Sequence, residues 1–479
     1  MNVLLITLDQ FRADCLSIAG HPVVKTPNLD RLAARGVRFE NHYSQAAPCA
    51  PGRASLFTGM YQMNHRVVAN GTPLEDRFDN IARAAIRKGY TPVLFGYTDQ
   101  GIDPMLAESL DDPRLDTYEG VLSGFTAILP LDDRQEGWVE YLKALGFAVT
   151  SGHQALATES LRPVEHSVSA FLTTGLLEWI AATDAPWFAH ASFIRPHPPY
   201  SAAGEYSTMY ADAPIEQPIA PGAELHGLHQ IALTLPGIAA PTDPSEMEAL
   251  IRQYFGMVSE VDAQIGRILD YLEEHEIVDD TVIILTSDHG EQLGDHGLLE
   301  KLGFFEQSYR IPCIVSDPFR KEFHGSVVGA FTENVDVFPT ILDLFHVDPS
   351  PQCDGTSLLP FLEGTTPKRW RTAAHYEWDW RYLLLGEHRV GGPIDKRLDR
   401  FNLVVHRTPS YAYVVFGDGE TLLFDLEADP TWRTTIDDPA LELRMARELL
   451  QWRSNHLGGV YTGLLLNTKR EGRWPALAH

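Results

Sequence analysis

Residues 281–290, Thr-Val-Ile-Ile-Leu-Thr-Ser-Asp-His-Gly, carry a short apolar run straight into a polar cluster. An unbroken run of this length, rich in β-branched residues, suits a strand buried on both faces of a parallel sheet. Residues 3–10, Val-Leu-Leu-Ile-Thr-Leu-Asp-Gln, repeat the plan, ending in Asp9-Gln10. Between the two lie helical stretches. Thr26 reads as an N-cap, with Pro27 at the first helical position and Gly36 just past residues 29–35. Further on, Ile251, Tyr254, Met257, Val258, Val261, Ile265, Ile268 and Leu272 recur at helical spacing and predict a long amphipathic helix over 245–275. Strands alternating with helices predict the α/β class, a sheet sandwiched by helices.

A chain of 479 residues can bury a large core and divide into one large domain and a smaller one. We expect a metal-binding catalytic α/β domain over 1–364 and an α+β subdomain over 365–479. The acidic stretch at about 100–160 lacks a sustained period and reads as an insertion near the site, while 195–245, with Arg195-Pro196-His197-Pro198-Pro199, reads as long loops. After 365, residues 411–416 and 421–426 flank Gly417-Asp418-Gly419-Glu420, a hairpin signal, and a helix over 441–453 follows. Tyr461, Leu464, Leu465 and Trp474 make the end of the chain apolar enough for an arm that docks on a neighbouring subunit, so a homo-oligomer, dimer or tetramer, is expected.

Lys and Arg total 38 against 65 Asp and Glu, a formal net charge of −27. That field repels polyanions, so neither nucleic acid nor an anionic membrane is expected as a partner, and an anionic substrate needs a local positive site. Four widely spaced cysteines (Cys15, Cys49, Cys313, Cys353) make neither a disulfide framework nor a zinc pattern. The N-terminus runs directly into Val3 without a basic region or cleavage site, and no apolar stretch reaches the length of a membrane span, so a cytoplasmic location is expected.

Asp9 and Asp288 each close a strand, and in open α/β sheets ligands gather at the carboxyl ends of strands. With Gln10 and His289 they form an O,O,O,N set suited to one divalent cation, although strand-end carboxylates that cap helices leave the same pattern. Cys49-Ala50-Pro51-Gly52-Arg53, continuing Ala54-Ser55-Leu56-Phe57-Thr58-Gly59, shifts the balance toward metal. It fits Cys-x-Pro-x-Arg, the sequon in which a maturation enzyme oxidises the cysteine to formylglycine. Residues 2–10, Thr26-Pro27-Asn28-Leu29-Asp30, 49–59, 287–296, and Leu423-Phe424-Asp425-Leu426 with Asp429-Pro430 follow in an order that resembles the sulfatase family of the alkaline phosphatase superfamily along nearly the whole chain.

The resemblance implies a large mixed, mostly parallel sheet between helices, with a smaller C-terminal antiparallel sheet. It implies one divalent metal, Mn²⁺ or Ca²⁺ before Mg²⁺ or Zn²⁺, held by Asp9, Gln10, residue 49, Asp288 and His289. It also implies a formylglycine-generating enzyme as maturation partner and a small anionic ester as substrate. Sulfatases carry Gly-Lys-x-His, whose lysine and histidine hold the sulfate; here the stretch is Gly96-Tyr97-Thr98-Asp99. That departure, with Asp9-Gln10, Asp288-His289, Met63-Asn64-His65-Arg66, residues 290–296 and Tyr376-Glu377-Trp378-Asp379, is similar to the phosphonate monoester hydrolase and phosphodiesterase subgroup, which also hydrolyses aryl sulfates.

In that subgroup's chemistry, hydrated formylglycine at position 49 attacks phosphorus or sulfur with one geminal hydroxyl, and deprotonation of the other later expels the product. Carried over, Asp288 is a candidate for the first proton, and His197 and His289 are both candidates for the later base. Arg53 orients the nucleophile, Lys301 and His197 contact the substrate oxygen and leaving group, and Asn70 and Tyr97 are neutral donors. The subgroup has Thr where Asp99 stands, which leaves that residue's role open. Neutral donors suit a singly charged diester or phosphonate monoester better than a dianion. A dedicated sulfatase, or a non-catalytic metal-binding scaffold, are the alternatives. His65 and His296 are expected to order loops, Cys15, Cys313 and Cys353 to be buried thiols, and Trp378, Trp380 and Arg381 to lie in core or interface.

Overall fold

A computed structural model describes residues 1–117, 119–132, 134–184, 186–380 and 401–459. Its strands are β1 (Asn2–Leu8), β2 (Val37–Tyr43), β3 (Ala46–Ala47), β4 (Val93–Gly96), β5 (Thr126–Pro130), β6 (Phe188–Phe193), β7 (Thr281–Thr286), β8 (Cys313–Ser316), β9 (Ser326–Glu333), β10 (Ala374–Asp379), β11 (Asn402–Arg407), β12 (Tyr411–Phe416) and β13 (Thr421–Asp425). The main sheet runs β5-β4-β6-β1-β7-β8-β2-β9. Only β8 opposes its neighbours; every other pairing in this sheet is parallel. The result is the expected α/β sandwich, mixed and mostly parallel.

β1 and β7 are buried along their whole lengths, as unbroken apolar runs require. Alternation divides β1 between two cores: Leu4, Ile6 and Leu8 enter one, Val3 and Leu5 the other. The strands pair in register from Asn2↔Thr281 to Thr7↔Thr286, so Asp9 and Asp288 leave the sheet together at its carboxyl end. The long helix Pro244–Glu274 covers the first core, as its spacing predicted.

Helix α1 (Pro27–Ala34) corrects one expectation. Thr26 does stand at the N-cap, but its side chain makes no capping bond: its hydroxyl accepts from Ser17 N at 2.9 Å, and Asp262 of the long helix accepts from the N–H groups of Asn28 and Leu29 at 3.1 and 2.7 Å. Residues 100–160 supply more than a loop. They contribute edge strand β5 and the helix Glu136–Ala144, which buries Trp138, Val139 and Leu142. β5 escaped pattern reading because its residues alternate between exposed and half-buried, without an apolar face.

The second sheet runs β13-β12-β11-β10-β3. Its β12–β13 hairpin lies where the turn signal put it, and the helix Pro439–His456 lays Leu441, Met445, Leu449 and Trp452 against it. β3 comes from far up the chain and pairs parallel with β10, Ala46 opposite Glu377, so a strand pair crosses the boundary placed near 365. Trp378 and Trp380 are core residues; Arg381 and the arm from 460 onward lie outside the described residues. Among the described residues no helix is long and apolar enough to cross a membrane.

Candidate active site

Cys49 opens helix α2 (Cys49–Thr58). Starting there puts Cys49 and Arg53 one turn apart on the same face, and Pro51 costs nothing in a first turn that has no acceptor for its missing N–H. All ten residues of α2 are buried. Gly52 permits the close seat: a Cβ there would lie 2.6 Å from the Asp288 carbonyl oxygen. Asn70 Oδ1 accepts from Ala50 N at 3.0 Å, and Gln100 Nε2 donates to Ala50 O at 2.9 Å, pinning the first turn from two sides.

Around Cys49 the strand ends converge. Asp9, Cys49, Asp288 and His289 each place a donor atom within 4.8 Å of the others. His289 Nε2 lies 3.2 Å from Cys49 Sγ and 3.8 Å from carboxylate oxygens of both Asp9 and Asp288. Its Nδ1 faces Gly290 O at 3.0 Å, so Nδ1 carries the proton and the Nε2 lone pair points into the cluster. Among the described residues, buried Asp9 Oδ1 has no hydrogen-bond partner. An orphaned carboxylate oxygen, a free imidazole lone pair and a second carboxylate fit one divalent cation.

Arg53 lies beneath them, fully buried. It reaches Asp288 at 2.8 Å, Asp9 at 3.1 Å and Asp99 at 3.2 Å, donates to Ser192 Oγ at 2.7 Å and stacks over the Tyr97 ring at 4.2 Å. Three carboxylates around one guanidinium leave a surplus of negative charge, which a divalent ion would neutralise. The Tyr97 hydroxyl donates to Asp9, so it supports a ligand as well as facing the cleft.

Gln10 is oriented from both ends. Its Nε2 donates to Glu291 and its Oε1 accepts from Lys301 Nζ at 2.9 Å. Lys301 also contacts His197 Nε2 at 2.9 Å and Glu300 at 3.0 Å. His197 Nδ1 donates to Pro198 O at 2.7 Å, leaving its Nε2 lone pair toward the ammonium. Gln10 (φ 66°) and Asp99 (φ 52°) both hold the left-handed conformation that side chains disfavour. Such strain gathers at functional sites, where surrounding bonds hold it.

The electrostatics follow from this packing. Burial opposes ionisation of Asp9, but the positive field of His197, Arg53, His289 and Lys301 wins and drives its pKa well down. Burial and Lys301 push the His197 pKa down, so at neutral pH Arg53 and Lys301 carry that field. Asp99 goes the other way, raised to about 7 by burial with Asp9 and Asp288 adding repulsion that Arg53 only partly offsets. Burial and the same carboxylates push the Cys49 thiol well above its ordinary value. An unmodified Cys49 is therefore a poor thiolate nucleophile.

The cleft above these groups has a volume of about 100 Å³ and is lined by Asp9, Cys49, Asn70, Tyr97, Asp99 and His197 among others. The structure thus brings Asp9, Gln10, Cys49, Arg53, Asn70, Tyr97, Asp99, His197, Asp288, His289 and Lys301 together around this cleft. It adds Glu291, Glu300, Ser192 and Gln100, of which only the 290–296 match carried a signal. His65 bonds Ser55 Oγ at 3.0 Å, and His296 stacks on Phe305 at 3.5 Å; neither enters the cleft lining. Cys353 is only partly buried, unlike Cys15 and Cys313.

The sulfatase family profile matches residues 1–347. The chain belongs to the sulfatase family. A second profile, the C-terminal part of N-sulphoglucosamine sulphohydrolase, matches residues 294–453 and spans the second sheet. Among curated relatives of this sulfatase family member, the multifunctional alkaline phosphatase superfamily protein PehA of Trinickia caryophylli is 37% identical over 499 residues, covering 96% of each chain. An arylsulfatase of Clostridium perfringens is 28% identical, covering 91% of this chain and 90% of its own. The crystal structure of a phosphonate monoester hydrolase of Agrobacterium radiobacter matches with a TM-score of 0.88 at 39% identity, covering 98% of both chains.

Proposed function

We propose that this chain is a formylglycine- and metal-dependent hydrolase of phosphonate monoesters and phosphodiesters that also accepts aryl sulfates. The observation that carries the reading is the wall Gly96-Tyr97-Thr98-Asp99. Where a sulfatase's lysine and histidine would stand, it presents a phenol bonded to Asp9 and a carboxyl beside Arg53. A wall without those two cations offers less attraction to a dianion and suits a singly charged ester. The PehA and phosphonate monoester hydrolase likenesses support the same choice.

Asp9, Gln10, Asp288, His289 and the side chain at 49 would hold the metal. When present, the ion supplies Lewis acidity toward a substrate oxygen, and formylglycine, whose oxygens the Cys49 sulfur stands in for, supplies a hydroxyl nucleophile with a second hydroxyl beside it. Arg53 holds Asp9 and Asp288 and so fixes the donors. Lys301 offers its ammonium to a substrate oxygen by releasing Gln10 or His197. The His289 Nε2 lone pair would be taken up by a bound metal, which favours His197 Nε2 as the group that takes the later proton. Asn70 positions the nucleophile's helix turn through Ala50, and Asp99, its pKa raised to about 7 by burial, adds less than a full negative charge against the substrate at neutral pH.

The test is twofold. Mass spectrometry of the tryptic peptide 39–53 reads the thiol-to-aldehyde conversion, and kcat/KM is compared between p-nitrophenyl phenylphosphonate and p-nitrophenyl sulfate. Conversion with a phosphonate preference supports the reading. An unconverted Cys49 in active protein would refute the formylglycine mechanism, and a sulfate preference of many thousandfold would overturn the reading in favour of a dedicated sulfatase.

A further inference from the structure

Beside the reaction cleft lies a second, larger cavity of about 490 Å³, built entirely from residues between Leu74 and Asp132. It shares Tyr97 and Glu119 with the cleft, so the two spaces meet at one wall. Gln100 also lines it while donating to the Ala50 carbonyl next to Cys49, and buried Gln100 Oε1 has no partner among the described residues. Leu74, Phe78 and Leu122 form a buried apolar lining, with Ile102 half-buried beside them. Among the described residues the charged lining is mostly acidic: Glu75, Asp76, Asp103, Glu119 and Asp132 line it with Arg114, which is tied to Asp112 at 2.6 Å, while Glu75 and Asp76 are paired with Arg77 and Arg83 at 2.5 and 2.7 Å.

Volume and placement divide the labour. A cleft of about 100 Å³ has room for a tetrahedral head group and little more. His197 and Lys301, assigned above to the substrate oxygen and leaving group, contribute nothing to the larger cavity. Building on the proposed function, we infer that this cavity receives the organic group that stays on phosphorus, and that it selects an apolar group without negative charge. A sulfate monoester has no such second group. The cavity therefore separates the substrate classes: it binds part of a phosphonate monoester or diester and goes unused with an aryl sulfate.

The test holds the leaving group constant. Matured enzyme and Val121→Trp are compared on p-nitrophenyl phenylphosphonate, p-nitrophenyl methylphosphonate and p-nitrophenyl sulfate. Val121 lines the cavity and is 44% exposed, so an indole can be built there without entering the core, and Ile102→Trp serves as a second filling variant if the first fails to fold by circular dichroism. The phenyl-to-methyl ratio of kcat/KM is expected to fall by about tenfold or more. A carboxylate placed on the phosphonate's phenyl ring is expected to cost the unsubstituted enzyme a similar factor. An unchanged ratio in both filling variants overturns the inference. So does a sulfate rate falling in parallel with phenylphosphonate, because the cavity would then hold the leaving group. Wild-type enzyme that turns over sulfate and neither phosphonate refutes the functional reading itself, and this inference with it.

Discussion

Asp9 on the strand end and Asp99 on the loop wall face the same guanidinium at 3.1 and 3.2 Å, yet their pKa values are driven in opposite directions. Asp9 also receives the Tyr97 hydroxyl and the field of Lys301, so burial fails to keep it protonated. Asp99 is the last of three carboxylates around Arg53, and with that charge already shared its own burial prevails. Identical side chains therefore play different parts: the floor of the cleft is a charged donor set, and the wall carries only part of a charge at neutral pH. Geometry reinforces the division, since β1 and β7 bring the floor together by register whereas loops between β4 and β5 bring the wall.

The largest expected effect strikes the floor's centre. Cys49→Ala should lower turnover by about 10⁴-fold or more while leaving the thermal midpoint nearly unchanged, since the thiol contributes little packing. Wild-type rates in that variant would remove position 49 from the chemistry. Asp288→Asn comes next, with a loss on the order of 10³ in kcat and a fall in bound metal read by elemental analysis. Full metal content with full activity would show that the floor is not a donor set.

Asp99→Asn probes the wall in metal-free protein. Its folded pKa, about 7 against an ordinary 3.8, means the native state keeps a proton that the unfolded chain has lost. The stability of that protonated form is complete below about pH 4, declines as pH rises to about 7 and is flat above. Asn imitates the neutral acid, so relative to wild type the variant should gain on the order of 3 kcal/mol between pH 4 and 8. Urea midpoints at pH 5 and pH 8 measure it, and parallel profiles would erase the contrast with Asp9. Glu291→Gln, acting on the floor through Gln10, should weaken metal affinity tenfold to a hundredfold, with activity restored at saturating metal. A loss of activity that excess metal does not restore would mean Glu291 serves some other purpose.

The floor was legible because its residues follow apolar runs: any chain with 3–8 and 281–286 as parallel strands delivers Asp9 and Asp288 to one edge. Cys49 and Arg53 were legible as a sequon, though the start of α2 was not, since Cys-Ala-Pro-Gly carries no helix signal. The bonds from Glu291 to Gln10 and from Ser192 to Arg53 join residues more than one hundred positions apart, and no local pattern encodes them. The wall and its cavity were illegible for a different reason. β5 has no apolar face, and the residues from 100 to 123 are held by turns and side-chain caps instead of by periodic burial.

The pairing of β3 with β10 sets an order of events in the life of the chain. Ala46 and Ala47 lead directly into Cys49, and the strand that secures them is made near the far end of synthesis. Until β10 emerges, the segment that leads into Cys49 lacks this strand partner. Once the second sheet forms, the entry to the buried helix α2 is held by residues from the far end of the chain, so the helix that the beginning of the chain lays down is fixed in place by its end.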